Sequence, residues 1–229
     1  MKKITEWIQR HCEKAWFCVC VNTCLLAVLL LLFSPAYETN DDMGLCAIVN
    51  GVKGTYDAHM IYVNYLIGLL LTCLYRVTDA VPWYALLQYA ALFCAFSAVT
   101  YVQIRRFRKH PSGWIFAAVL LLFAFEGYIR LQYTKTAGIV SAAGMVLLLD
   151  AVTGERIRKR SAVCGIVLAG FGAMYRLPQF FAEAFLMLGI VIYELINLRQ
   201  LAPGEAQKRF GRYAGTAAAL LGVVAVLYG

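Results

Sequence analysis

Charge is scarce in this chain. Only 15% of its 229 residues are Asp, Glu, Lys or Arg, while 62% are hydrophobic and the mean hydropathy is +0.68. A water-soluble domain carries nearer a quarter charged residues, so this scarcity excludes that class and predicts an all-α integral membrane protein. Histidine is scarce too, with His11, His59 and His110 scattered over three segments. The eight cysteines form no C-x-x-C pair, and most lie in apolar runs, where Cys behaves as a small hydrophobe. Neither residue type offers a structural metal site. No cofactor is expected, and whether a divalent metal assists is left open. Also missing is a small-x-small cleavage site before Tyr37, where Pro35 stands instead. The first apolar run, 16–34, is therefore read as an uncleaved span, not a signal peptide.

The charge that is present is mostly positive: 21 basic against 13 acidic residues, a formal net charge of +8. In so apolar a chain, basic cytoplasmic loops account for the excess, and membrane lipids rather than nucleic acid are the expected partners. Apolar runs predict spans at 16–34, 81–104, 113–129, 135–151, 161–175, 178–198 and 213–229. The stretch from His59 to Arg76 is ambiguous, because as a helix it would reach about 27 Å and could cross. If it does not cross, sixteen of the 21 basic residues fall on the cytoplasmic side and five outside. If it crosses, the tally becomes eight inside and thirteen outside. The positive-inside rule selects the first arrangement. It predicts a multi-pass protein of seven spans, with residues 1–15 in the cytoplasm and an outer loop over 35–80. That loop carries a juxtamembrane helix at 59–76, whose Tyr62, Asn64, Tyr65, Thr72 and Tyr75 suit a membrane surface.

The outer loop opens on Tyr37-Glu38-Thr39-Asn40-Asp41-Asp42, three carboxylates within five residues. Asp and Asn are common turn formers, so a solvated turn would explain the segment. A catalytic carboxylate facing a lipid-borne substrate would explain it equally. Other charged residues fall near the outer boundary. Arg176 follows the fifth span and precedes Pro178, while Arg130 and Lys135 flank Tyr133 and Thr134. Arg grips phosphate oxygens bidentately, but Arg and Lys at span ends also snorkel for their own solvation. Glu126 and Glu183 sit just inside spans, where an acid is expensive and usually finds a partner. Either could pair with Arg176 or Arg130, bind sugar hydroxyls or hold a metal. Asp57 is placed to cap the surface helix, and His59 beside it is a candidate substrate contact.

One span, an outer acidic pair, a surface helix and a second span ending in basic residues resemble the opening of the GT-C membrane glycosyltransferases. Thr39-Asn40-Asp41-Asp42, Gly54-Thr55-Tyr56-Asp57-Ala58-His59 and Pro82-Trp83-Tyr84 carry the resemblance. It extends to the branch of the protein O-mannosyltransferases and the lipid A aminoarabinose transferase, and more closely to uncharacterised bacterial relatives. It implies a bacterial cell-envelope enzyme that moves a sugar from a polyprenyl-phosphate donor to an acceptor hydroxyl with inversion. Asp41 would be the general base, with Asp42 as its alternative. Arg176 and Arg130 would hold the lipid phosphate, and Glu126, Glu183 and His59 would contact substrate. The family pair is usually Asp-Glu, whereas this chain has Asp-Asp. Relatives continue past the point matching Gly229, so the resemblance also implies a chain incomplete at its C-terminus. A non-catalytic assembly subunit and a small transporter or flippase are the competing readings. The transporter is disfavoured because paired broken segments are lacking.

Overall fold

The computed structural model describes residues 14–107, 112–154 and 156–229. All but the last two residues of the predicted cytoplasmic segment 1–15 lie outside the described residues. Among them the fold is all-α, with one two-stranded bridge. The helices are α1 (Ala15–Leu32), α2 (Asn40–Val49), α3 (Tyr65–Val77), α4 (Trp83–Phe107), α5 (Ser112–Ile129), α6 (Tyr133–Val152), α7 (Lys159–Tyr175), α8 (Leu177–Leu198) and α9 (Pro203–Tyr228). Five of these, α1, α4, α6, α8 and α9, are long and apolar enough to cross a membrane. They coincide with five of the seven expected spans. Residues Ile115–Ile129 of α5 form a shorter apolar helix, and α7 has 17 residues.

The core sits around α6, which is buried along most of its length and packs against α4, α7 and α8. Its tightest neighbour is α7. A Cβ at Gly144 would stand 2.4 Å from the Ala169 backbone nitrogen, and one at Gly165 would stand 2.8 Å from the Gly144 carbonyl oxygen. Only hydrogen side chains allow this approach, the usual device where apolar surroundings supply no hydrophobic drive between helices. By contrast α8 turns Phe181, Phe185, Leu186, Leu188, Ile192 and Ile196 outward, as a lipid-facing helix would.

The helices run alternately between two ends. At one end stand the starts of α4 and α6, the C-termini of α7 and α9, and α2. At the other are Arg105 and Arg106 of α4, Asp150 of α6, Arg158 beside α7 and Arg199 beside α8. Seventeen residues separate Tyr133 from Asp150 on α6, about 26 Å of helix.

Three features of the 35–80 loop differ from expectation. The acidic segment is no turn but the first turn of α2, where Asp41 and Asp42 favour the helix through its macrodipole. The surface helix starts at Tyr65 instead of His59, because Asn64, not Asp57, is its N-cap and accepts from the Leu66 N–H at 2.9 Å. Asn64 is itself fixed by its N–H to the Met174 carbonyl and its amide to the Leu227 carbonyl, each 2.8 Å. At the other end of α3 the Tyr75 hydroxyl accepts the Tyr84 N–H at 3.1 Å. Both ends of α3 thus touch the same end of the bundle. At 13 residues it is only about 20 Å long, and it lies across that end. Finally, β1 (Ala36–Tyr37) pairs in parallel with β2 (Arg130–Leu131), tying the first loop to the turn before α6. Elsewhere, the helix expected at 213–229 starts ten residues earlier, at Pro203, where proline suits a first turn.

Candidate functional site

Asp42 is the most heavily bonded acid at the α2 end. It is fully buried, and its Oδ1 accepts the Tyr84 hydroxyl at 2.8 Å, the Tyr133 N–H at 3.0 Å and the Gln88 amide at 3.1 Å. Oδ2 accepts the Thr39 hydroxyl at 3.1 Å. The Gln88 carbonyl oxygen in turn takes the Thr136 hydroxyl at 2.9 Å. Gln132, the residue before α6, caps nothing with its side chain, so Asp42 caps α6 from a different helix. Burial pushes the Asp42 carboxyl above the usual carboxylate range, and the four donors pull the other way by favouring the anion. A carboxylate with four donors and no exposed surface serves as a brace, and its burial keeps it out of reach of a substrate hydroxyl.

Asp41 faces the other way. It is exposed, has no ion-pair partner among the described residues, and lines a pocket of about 200 Å³ with Asn40, Lys53, Ile61, Tyr62 and Tyr133. Arg176 stands behind two of these walls. Its guanidinium lies 5.4 Å from the Tyr62 ring centroid and 5.3 Å from that of Tyr133, within cation–π range. It also donates to the Tyr133 hydroxyl at 2.9 Å and to the Thr134 hydroxyl. All these partners are neutral. Among the described residues no carboxylate pairs with Arg176, so its charge is available to an anion. Tyr62 has φ +68°, a left-handed conformation that is an outlier for a bulky side chain. Such strain persists only where surrounding structure imposes it, and it clusters at functional sites.

No family model matches the chain, and no curated protein or solved structure matches it either.

The remaining candidates stand apart from the pocket. Lys135 does not merely snorkel: it bridges Glu38 and Glu126, the latter at 2.8 Å, and donates to the Arg130 carbonyl at 3.2 Å. Glu126 is thus paired with Lys135, and Arg130 sits exposed on β2 with its carbonyl engaged. Glu183 pairs with neither Arg176 nor Arg130. It accepts the Gln179 amide at 2.9 Å on its own helix and faces Gly138. His59 is exposed, stacked near Tyr65 with centroids 4.9 Å apart, and bonded to Asp57 at 2.9 Å. The His59 backbone N–H and then its ring hold the Asp57 carboxyl below the usual range. Asp57 therefore caps its own loop and not a helix.

Lys53, Tyr62 and Tyr133 line the pocket, and Thr134 holds Arg176 behind it, yet none stood out as a site member in the sequence. Lys53 was legible only as an outer-loop cation. Tyr62 looked like a polar position on a helix, and nothing in the sequence signals its positive φ. Tyr133 and Thr134 lay visibly beside Arg130 and Lys135, yet the fold gives them to Arg176.

Proposed function

We propose that this protein is a membrane glycosyltransferase of GT-C type, moving a sugar from a polyprenyl-phosphate donor to an acceptor hydroxyl at the outer face. In this reading α1 and α4 to α9 are seven spans, the N-terminus is cytoplasmic, and α3 lies on the outer surface. The observation that carries it is the shared wall of Tyr62 and Tyr133, with Asp41 in the pocket and Arg176 behind. Segments far apart in the chain thus bring a carboxylate into one small cavity and a guanidinium behind its wall, neither paired with an opposite charge among the described residues. The pocket suits one sugar ring better than a nucleotide, which accords with a lipid-borne donor.

Arg176 holds the donor phosphate through its free N–H edges, with Lys53 adding charge. The acceptor oxygen attacks the anomeric carbon, the carbon–oxygen bond to the lipid phosphate breaks, and that phosphate departs as an anion. Asp41 takes the acceptor proton, as a poor nucleophile requires. Asp42 acts through structure: by joining α2 to α4 and α6 it fixes the direction in which Asp41 points.

Asp41→Asn keeps the side chain's size but accepts no proton. With purified protein, polyprenyl-phosphate sugars and mass spectrometry of products, turnover should fall about a hundredfold or more with donor affinity little changed. Because Asp41 is exposed and unpaired, the variant should fold normally. Undiminished turnover would refute its role.

A further inference from the structure

At the end opposite the pocket, one carboxylate faces three guanidinium groups. The Asp150 side chain is 1% exposed and is bonded by Arg106 Nε at 2.6 Å, by Arg105 Nε at 3.3 Å, and by Arg158. Arg106 also reaches the Thr153 hydroxyl, and Arg158 the Asp150 carbonyl oxygen. Among the described residues bonded to the cluster, one carboxylate and the carbonyl end of α6, the latter equivalent to about half a negative charge, leave more than one positive charge uncompensated. Arg158 Nε is buried with no acceptor. The three arginine side chains are 33%, 36% and 25% exposed, so N–H groups remain for a partner outside the protein.

Beside this cluster lies a cavity of about 390 Å³ between α4, α5, α6 and α8, lined by Phe96, Val102, Phe107, Phe116, Ala142 and Val146 among others. Val102 and Arg106 are four residues apart on α4, and Val146 and Asp150 are four apart on α6. Residues at that spacing share a helix face, so the apolar groove ends one turn from the guanidinium groups.

We propose that this end of the bundle binds an anionic phospholipid, with the phosphate on Arg105, Arg106 and Arg158 and an acyl chain in the groove. The site does not depend on the transferase reading. A phosphate diester supplies the oxygens that a guanidinium fork takes bidentately, and a basic pocket between membrane helices is a recurrent place for such headgroups. A zwitterionic headgroup carries its own cation and fits the uncompensated charge less well. The mixed character of the site, charged at one end and apolar along most of its length, with Gln103 and Glu183 as the polar side chains of its lining, selects a lipid over a free ion.

The test is lipid retention by the full chain in detergent, read by native mass spectrometry with equimolar phosphatidylglycerol and phosphatidylcholine. Wild type should retain phosphatidylglycerol preferentially, and Arg158→Gln should lower that retention about fivefold. Asp150 keeps two arginines in this variant and stays paired. Arg158→Lys, which preserves the charge without the fork, should give an intermediate value, and it remains informative if Arg158→Gln fails to fold. Ala142→Phe, which fills the groove, should lower lipid retention too. Arg199→Gln removes one exposed charge from the same end, outside the cluster, and should change nothing. Equal losses in Arg158→Gln and Arg199→Gln would reduce the effect to bulk charge and overturn the site. Displacement of the lipid by inorganic phosphate, with Ala142→Phe unaffected, would overturn the lipid assignment in favour of a small phosphate ligand.

Discussion

Asp42→Ala removes in one step the acceptor for the Tyr84 hydroxyl, the Gln88 amide, the Tyr133 N–H and the Thr39 hydroxyl. Thr39 is only part-buried and can turn to water, but the other three bonds are buried and their donors lose their partner. An unsatisfied buried donor costs about 1–3 kcal/mol, and relief from desolvating the carboxylate offsets part, which leaves a net loss of about 3–5 kcal/mol. For a chain of this size the unfolding midpoint should drop by roughly 10 °C. Asp42→Asn keeps Oδ1 with its three bonds and turns its amide to the Thr39 oxygen, so it should lose about 1 kcal/mol or less. Acid gives a second arm. Burial raises the Asp42 carboxyl above its ordinary 3.8, so the folded state holds this proton more tightly than the unfolded chain. The stabilisation from that proton is complete below the unfolded value and disappears as pH rises through the folded one. Wild type should therefore gain stability relative to Asp42→Asn as pH falls through the raised value towards the ordinary 3.8. Intrinsic-fluorescence melting in detergent reads both arms. An Asp42→Ala midpoint within about 2 °C of wild type would refute the brace. A wild-type-to-Asn gap that ignores pH would refute the raised carboxyl.

Arg176→Ala should weaken donor binding by about tenfold or more, and Arg176→Lys should recover only part because Lys lacks the planar fork. Equal donor affinity in all three proteins, measured by titration of a fluorescent polyprenyl phosphate, would remove Arg176 from the phosphate site. A topology reporter at Asp57 should read external and one after Arg199 cytoplasmic. An external signal after Arg199 would invert the bundle and take the pocket off the outer face.

Apolar run length reveals the five helices long and apolar enough to cross a membrane, because a crossing segment needs only continuous hydrophobicity. The positive-inside tally set α3 apart from them, and its two ends touch the same end of the bundle. What escaped was anything decided by partners distant in sequence. Asp57 and Asn64 are both good caps, and the choice fell to contacts of Asn64 with Met174 and Leu227, the second 163 residues away. Asp41 and Asp42 are neighbours in sequence, but successive helical side chains point about 100° apart. Once the segment is a helix, one acid must enter the bundle while the other faces the pocket. A turn reading could not assign those directions. Glu183 shows the same limit: an acid in an apolar run demands a partner, and the fold supplied Gln179 one turn along instead of a distant arginine.

The close seating of α6 on α7 has a mechanical consequence. With the Gly144 and Gly165 backbones nearly touching, a slide of one helix along the other would drive side chains into backbone. The pair therefore moves as a single beam. One tip of that beam holds Tyr133 with Arg176, and the other holds Asp150 with Arg158. A load that tilts the arginine-rich tip is levered through about 26 Å of helix to the wall of the pocket.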